Sequence, residues 1–108
     1  MDLQMSPERL AELLKGEKPP HLLDVRQPEE HETAVLPNST LIPLGQIMGR
    51  AKEIEAWKDE EVVVYCHHGV RSLMAIGALR AMGFKKLHNL TGGIDAWSAK
   101  VDATVPRY

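Results

Sequence analysis

The most reactive side chain in this sequence is its single cysteine, Cys66, within Val64-Tyr65-Cys66-His67-His68-Gly69-Val70-Arg71-Ser72. An apolar run over residues 61–65 precedes it, and a largely apolar stretch from Ser72 to Met82 follows it. The pattern predicts a buried strand, a tight loop and a helix, which is where parallel α/β sheets place ligands. We therefore expect Cys66 to lie beside a crevice at the carboxyl edge of such a sheet.

The residues after Cys66 have the composition of an anion-binding loop. Gly69 allows the chain to curl so that backbone N–H groups point inward. The positive end of the following helix and the guanidinium of Arg71 add to the attraction for an anion. These features favour a thiolate, so we predict a pKa for Cys66 below its ordinary value of ~8.5. The predicted anion-binding residues are His67, His68, Gly69, Val70 and Arg71.

The same residues allow plainer interpretations. A lone cysteine in a globular domain is most often a small buried apolar residue, and His67 and His68 are equally compatible with a solvated surface. A metal site of Cys66, His67 and His68 is disfavoured because contiguous residues in a tight turn rarely converge on one tetrahedral centre. No metal and no cofactor is therefore predicted.

Strands and helices alternate along the chain. Apolar runs predict strands near residues 21–25, 40–42, 61–65 and 86–90. A first helix is expected to begin at Pro7 after the Ser6 cap and to end at Gly16. Helical spacing of apolar residues predicts further helices over 44–57 and 72–82. This alternation indicates a mostly parallel α/β sheet with helices on both faces.

The cysteine loop resembles the active-site loop of single-domain rhodaneses, a family of sulfurtransferases. Three other segments, in the family's order, are similar to its signatures: Leu23-Asp24-Val25-Arg26-Gln27-Pro28-Glu29-Glu30, Leu36-Pro37 with Leu41-Ile42-Pro43, and Leu90-Thr91-Gly92-Gly93-Ile94-Asp95-Ala96-Trp97. The resemblance implies a rhodanese-like α/β fold of about five mostly parallel strands, with residues 1–108 as one domain.

The resemblance also implies a two-step reaction. Cys66 would attack the outer sulfur of a donor such as thiosulfate and hold it as a persulfide. An acceptor, either cyanide, a thiol or a sulfur-carrier protein, would then remove that sulfur.

One stretch departs from the family pattern. Where members commonly have Gly-His-Ile-Pro-Gly-Ala, this chain has Ala34-Val35-Leu36-Pro37-Asn38-Ser39. Val35 therefore replaces the usual histidine, and Asn38 replaces a glycine. Asparagine tolerates the left-handed backbone conformation, so we expect the turn itself to persist.

Five residues are predicted to support the loop structurally: Asp24, Arg26, Ser72, Gly92 and Gly93. A charged pair beside a buried strand, such as Asp24 and Arg26, is interpreted as an ion pair that braces loops. Gly92 and Gly93 are interpreted as permitting a tight turn.

Composition limits the class of protein. The 108 residues are 44% hydrophobic and 26% charged, as in a globular protein of one domain. The net charge of −2 argues against nucleic acid as a partner. No apolar run approaches the ~20 residues needed to cross a membrane, and residues 1–7 lack a secretion signal. One cysteine excludes an internal disulfide, so we expect a cytoplasmic protein.

Two other functions remain compatible with these residues. Cysteine-dependent phosphatases and arsenate reductases use a related cysteine–loop–arginine cradle. Phosphatase loops are typically longer than the four residues between Cys66 and Arg71, which suit a sulfur atom better than a tetrahedral phosphate. The second alternative is a rhodanese-like module that binds a partner without turnover, although inactive members often lack the cysteine that this chain keeps.

Overall fold

The structure of the protein, a computed structural model, describes residues 3–108. Its strands are β1 (Gln4–Met5), β2 (His21–Asp24), β3 (Thr40–Leu41), β4 (Glu61–Tyr65) and β5 (Lys86–Leu90). Its α-helices are α1 (Pro7–Leu14), α2 (Pro28–Thr33), α3 (Ile47–Arg50), α4 (Val70–Ala81) and α5 (Gly93–Lys100). Within the described range, no helix has the length and apolar character that spanning a membrane requires. Met1 and Asp2, part of the segment judged for a secretion signal, lie outside the described residues.

The five strands form one sheet in the order β1-β5-β4-β2-β3, and every neighbouring pair is parallel. This confirms the predicted α/β architecture and places β4, the strand before Cys66, at the centre of the sheet. The strand β1 was not predicted. It has two residues, too few to show any periodicity.

Both faces of the sheet are covered, as the apolar sequence of β4 indicates. Val62 and Val64 belong to one apolar cluster, which includes residues of α3 and α4. Val63 and Tyr65 point to the opposite face and belong to a second cluster, with residues of α1 and α5. Because alternate side chains of β4 are buried on opposite faces, the strand has no polar alternation.

The ends of α1 follow the predicted signals. The Ser6 hydroxyl accepts a hydrogen bond from the N–H of Arg9 at 3.1 Å, and Pro7 occupies the first turn. The helix ends at Leu14 with Lys15 as its cap, directly before Gly16.

The helix after the cysteine loop starts two residues earlier than predicted, at Val70 instead of Ser72. Its N-cap, Gly69, has a left-handed conformation that lets the helix begin at once. At the other end, Gly83 has φ +101°, and the N–H of Phe84 donates to the carbonyl of Leu79 at 3.1 Å. This is a Schellman ending.

The predicted helix over 44–57 is interrupted. Residues Leu44–Gln46 and Ala51–Trp57 are 3-10 helix, and only Ile47–Arg50 are α-helical. The chain kinks at Ile54, whose φ is −116°. Apolar spacing shows only which side of the segment is buried. Because a 3-10 helix and an α-helix bury nearly the same residues, the spacing does not distinguish them.

The turn that departs from the family pattern has the expected conformation. Asn38 has φ +58°, so it adopts the left-handed conformation that the family's glycine would supply. Val35 is 39% exposed, and its apolar side chain cannot donate the hydrogen bonds of the histidine that it replaces.

Candidate active site

The cysteine loop, residues 66–69, joins the central strand β4 to helix α4. Gly69 has φ +109°, a conformation that residues with side chains rarely adopt. The resulting turn directs the N–H of Gly69 at Sγ of Cys66, with a nitrogen–sulfur distance of 3.0 Å. Cys66 thus lies at the carboxyl end of the central strand, against the first turn of α4.

The Cys66 thiol is surrounded by hydrogen-bond donors although the residue is only 1% exposed. Burial by itself raises the pKa, since it penalises the charged thiolate. The Ser72 hydroxyl, 3.4 Å from the sulfur, and the backbone N–H of Ser72 act in the opposite direction. The backbone N–H groups of Gly69 and His68 add to them. These hydrogen bonds outweigh burial, so the pKa of Cys66 lies below its ordinary value.

The start of α5 holds the loop by its carbonyl groups. The N–H of Ile94 donates to the carbonyl of Cys66 at 2.9 Å, and the N–H of Asp95 donates to that of His67 at 3.1 Å. The C=O and N–H of one peptide point in opposite directions. Engaging the His67 carbonyl on α5 therefore turns the N–H of His68 back toward the sulfur.

Gly92 and Gly93 make this approach possible. Gly93 has φ +64°, and a Cβ placed on it would lie 2.5 Å from the carbonyl oxygen of Cys66 and closer still to that of His67. Gly92 has φ +75°, and its Cβ would lie 2.6 Å from Cβ of Ala96. The predicted tight turn is present, and at Gly93 the glycine also provides contact with the cysteine loop.

A buried side-chain network supports the base of the loop. The Ser72 hydroxyl donates its single proton to Oδ1 of Asn89 on β5 while Cys66 is a thiol, and it can donate to the sulfur instead only by giving up that bond. Nδ2 of Asn89 donates to the carbonyl of Gly69 at 3.3 Å and to Oε1 of Gln4 at 3.1 Å. Sequence analysis missed Asn89, because only its position on the strand beside β4 connects it with the loop.

Arg71 does not present a free guanidinium to the site. Its Nη1 lies 2.6 Å from Oε1 of Glu30, and its Nη2 lies 2.9 Å from Oε2. This two-bond ion pair raises the pKa of Arg71 and lowers that of Glu30 to about 2. The expectation of an available positive charge in the cradle is thus corrected. Hydrogen bonds to Cys66 are the chief cause of its lowered pKa.

Tyr108 connects this ion pair to the cysteine loop. Its hydroxyl donates to Oε2 of Glu30 at 2.7 Å and accepts from Nη1 of Arg26 at 2.7 Å. Its ring stacks on that of His67, with centroids 4.0 Å apart and an angle of 8° between the planes. Sequence analysis missed both Glu30 and Tyr108, since neither lies near Cys66 in the chain.

Val70 and His68, also predicted to bind an anion, expose their side chains to solvent. Val70 is 70% exposed, so its contribution is limited to the backbone. The His68 side chain is 64% exposed. Burial, and next the nearby charge of His68, lower the pKa of His67, which favours its neutral form.

His67, His68 and Asp95 each offer a metal-ligating atom within 4.8 Å of the other two. A metal ion lies close to the plane of each imidazole that binds it. The two imidazole rings stack at 4.0 Å with 26° between their planes, so no point near both rings satisfies this condition. The Asp95 carboxylate is also bound to Arg107 at 2.9 Å and 3.1 Å. The arrangement is therefore that of a stacked pair beside an ion pair.

Asp24 and Arg26 form the ion pair that their sequence position indicates. Both side chains are fully buried, with Nε of Arg26 2.8 Å from Oδ1 of Asp24 and Nη2 2.7 Å from Oδ2. Arg26 also donates to the carbonyls of Ala34 and Glu30, and Nδ1 of His31 lies 2.8 Å from the Asp24 carboxylate. The pair thereby ties the end of β2 to the middle of α2 and to its C-terminal cap.

Comparison with known proteins identifies the family. The family model described as Rhodanese-like domain matches residues 6–100. The chain therefore belongs to the rhodanese-like domain family.

Individual relatives agree with this assignment. A protein of Allochromatium vinosum named "Sulfurtransferase" is 35% identical over 95 residues, covering 88% of this chain and 87% of that protein. The putative sulfur carrier protein YrkF of Bacillus subtilis is 34% identical over 99 residues, covering 92% of this chain and 52% of YrkF. This chain thus spans about half of YrkF. The crystal structure of a rhodanese-like domain protein from Staphylococcus aureus superposes with a TM-score of 0.81 and 32% identity, covering 90% of this chain and 91% of that one.

Proposed function

We propose that this protein is a sulfurtransferase that carries a sulfane sulfur on Cys66 as a persulfide. The observation that carries the proposal is the set of backbone N–H groups directed at the buried Cys66 sulfur, led by the N–H of Gly69 at 3.0 Å. Such donors stabilise a sulfur anion before and after it accepts a second sulfur. The relative named as a sulfurtransferase supports the same reaction class.

The proposed reaction has two half-reactions. With thiosulfate as donor, the Cys66 thiolate attacks the outer sulfur, the sulfur–sulfur bond of the donor breaks, and its electron pair leaves with sulfite. Cys66 is left as a persulfide anion. Cyanide then attacks the outer sulfur of that persulfide, which forms thiocyanate and regenerates the thiolate. No oxidant, reductant or net proton transfer is needed, and covalent catalysis of this kind gives ping-pong kinetics.

The proposal places this activity in one domain comprising residues 1–108. Its donor is a small molecule with a sulfane sulfur, and its acceptor is a thiol or a sulfur-carrier protein, in keeping with the relative named as a putative sulfur carrier. A cytoplasmic location is part of the proposal, because a reducing compartment keeps a lone reactive thiol available.

Intact-mass spectrometry tests the proposal directly. The wild-type protein, treated with thiosulfate or with a thiol persulfide and then desalted, should gain the mass of one sulfur atom. Cyanide should remove that mass and release an equal amount of thiocyanate. The Cys66→Ser variant should do neither, and Cys66→Ala should behave in the same way.

Two outcomes would overturn the proposal. One is turnover by either Cys66 variant at the wild-type rate. The other is a folded wild-type protein that gains no sulfur from either donor, which would favour a binding module. Cys66-dependent release of phosphate from an aryl phosphate would instead favour the phosphatase class.

A further inference from the structure

Three guanidinium groups of the described residues belong to the contact network beside the cysteine loop, and each is already paired. Arg71 binds Glu30 through two hydrogen bonds, and Arg107 binds the Asp95 carboxylate in the same way. Arg26 is fully buried and donates to Asp24 and to backbone carbonyls. Of these three, Arg71 alone lies in the first turn of α4, directly after the cysteine loop. Its pairing therefore decides how much positive charge a donor meets.

We propose that Glu30 is a specificity-determining residue, which occupies Arg71 and so disfavours small, multiply charged oxyanion donors relative to donors that carry little charge. This inference rests on the proposed sulfur transfer and narrows its donor class. The preferred donor is a sulfane sulfur attached to an organic thiol, as in a thiol persulfide or an organic trisulfide. Thiosulfate is a poor donor for the wild-type protein by this account.

Glu30 is well held in its position on α2. Its carboxylate accepts hydrogen bonds from Arg71, from the Tyr108 hydroxyl at 2.7 Å and from the N–H of Gln27 at 3.1 Å. The Glu30 side chain is 20% exposed and the Arg71 side chain 34% exposed, so water screens the pair only in part. The pKa of Glu30, at about 2, keeps it ionised across the physiological range.

An oxyanion that approaches Arg71 competes with Glu30 for the guanidinium and so weakens the ion pair. It also stands near the negative charge of Glu30. Both effects oppose binding of a dianion more strongly than binding of an uncharged molecule. The backbone N–H groups that face Cys66 are unaffected, so the transfer step itself remains available to either donor.

A donor panel tests the inference with a matched control. Wild type, Glu30→Gln and Glu29→Gln are compared with thiosulfate and with a dialkyl trisulfide, using cyanide as acceptor. Glutamine keeps the shape of Glu30 and one acceptor oxygen, and it removes the charge by replacing the other oxygen with an NH2 group. Glu29→Gln removes the same charge from the neighbouring exposed position on α2.

Glu30→Gln should raise kcat/KM for thiosulfate by about tenfold, mainly through a lower KM, as expected for the loss of one charge-assisted contact. The kcat/KM for the trisulfide should change by less than about twofold. Glu29→Gln should leave both values near wild type. If Glu30→Gln lowers kcat/KM equally for both donors, the inference is overturned and Glu30 has a purely structural role. An unchanged donor ratio would overturn it as well.

A binding measurement separates this inference from the proposed function. Inorganic sulfate has no sulfane sulfur to transfer, so its affinity does not depend on turnover. Followed by NMR shifts of the loop amides, sulfate should bind Glu30→Gln about tenfold more tightly than wild type. Equal sulfate affinity in the two proteins would reject the role of Glu30 even if sulfur transfer is established. Tighter binding without turnover would uphold it and reject the transfer.

Discussion

The Cα of Gly93 lies against the carbonyl oxygen of Cys66, so closely that an added Cβ would be 2.5 Å from that oxygen. Two backbone segments far apart in the sequence are therefore in direct contact beneath the reactive sulfur. The contact allows α5 to bind the loop carbonyls, and this leaves loop N–H groups directed at the sulfur. The glycine is thus part of the structure that stabilises the Cys66 anion.

Replacing Gly93 with alanine should damage both stability and the site. The left-handed φ of +64° alone costs an alanine about 1–2 kcal/mol, and the overlap with the Cys66 carbonyl adds to it. Urea unfolding and persulfide formation should both show the loss. Gly77→Ala is the control, because Gly77 lies within α4 and an added Cβ there would meet nothing within 4 Å. Gly77→Ala should stabilise the protein by about 1 kcal/mol. A similar stabilisation by Gly93→Ala would contradict the role of Gly93 in contacting the cysteine loop.

The Ser72 hydroxyl should lower the pKa of Cys66. Ser72→Ala removes a donor 3.4 Å from the sulfur, so the pKa should rise toward its ordinary value. Persulfide formation at neutral pH should slow by about tenfold, the effect of losing one hydrogen bond to a charged group. Ser98→Ala provides the comparison, since Ser98 is a buried serine that donates to the Ile94 carbonyl. Equal rates in the two variants would show that Ser72 has no electrostatic role.

Much of this organisation follows from the sequence. The apolar run before Cys66, Gly69 after it and the helix beyond predict the strand, loop and helix, because burial and turn conformation are local properties. The pairing of Arg71 with Glu30 does not follow from local sequence properties. It joins residues 41 positions apart, and the sequence shows that each charge exists without showing which partner it meets.

Asn89, Tyr108 and β1 were missed for the same reason, because each contacts a partner that is distant in the sequence. Asn89 supports the loop because β5 lies next to β4. Tyr108 contacts Glu30 because the chain returns to α2. The strand β1 is held by two register pairs with β5, which no periodicity of its own could reveal.

The buried ion pair of Asp24 and Arg26 should be important for folding. Removing one partner leaves a buried charge uncompensated, which typically costs about 3–5 kcal/mol. Arg26→Ala should therefore lower the free energy of unfolding by that amount in urea denaturation. Arg50→Ala breaks an exposed pair with Glu53 and should leave the urea midpoint unchanged. Comparable midpoints for the two variants would contradict the bracing role of Arg26.

The central claim is that hydrogen bonds from the surrounding loop lower the pKa of Cys66 inside the fold. The most direct measurement is the pH titration of thiolate ultraviolet absorbance, taken as wild type minus Cys66→Ser so that tyrosine ionisation cancels. Because hydrogen bonds lower the pKa of Cys66, the thiolate should form at a lower pH than an ordinary thiolate does and be lost as the pH falls through that lowered value. A midpoint at or above the ordinary thiol value of about 8.5 would contradict the account.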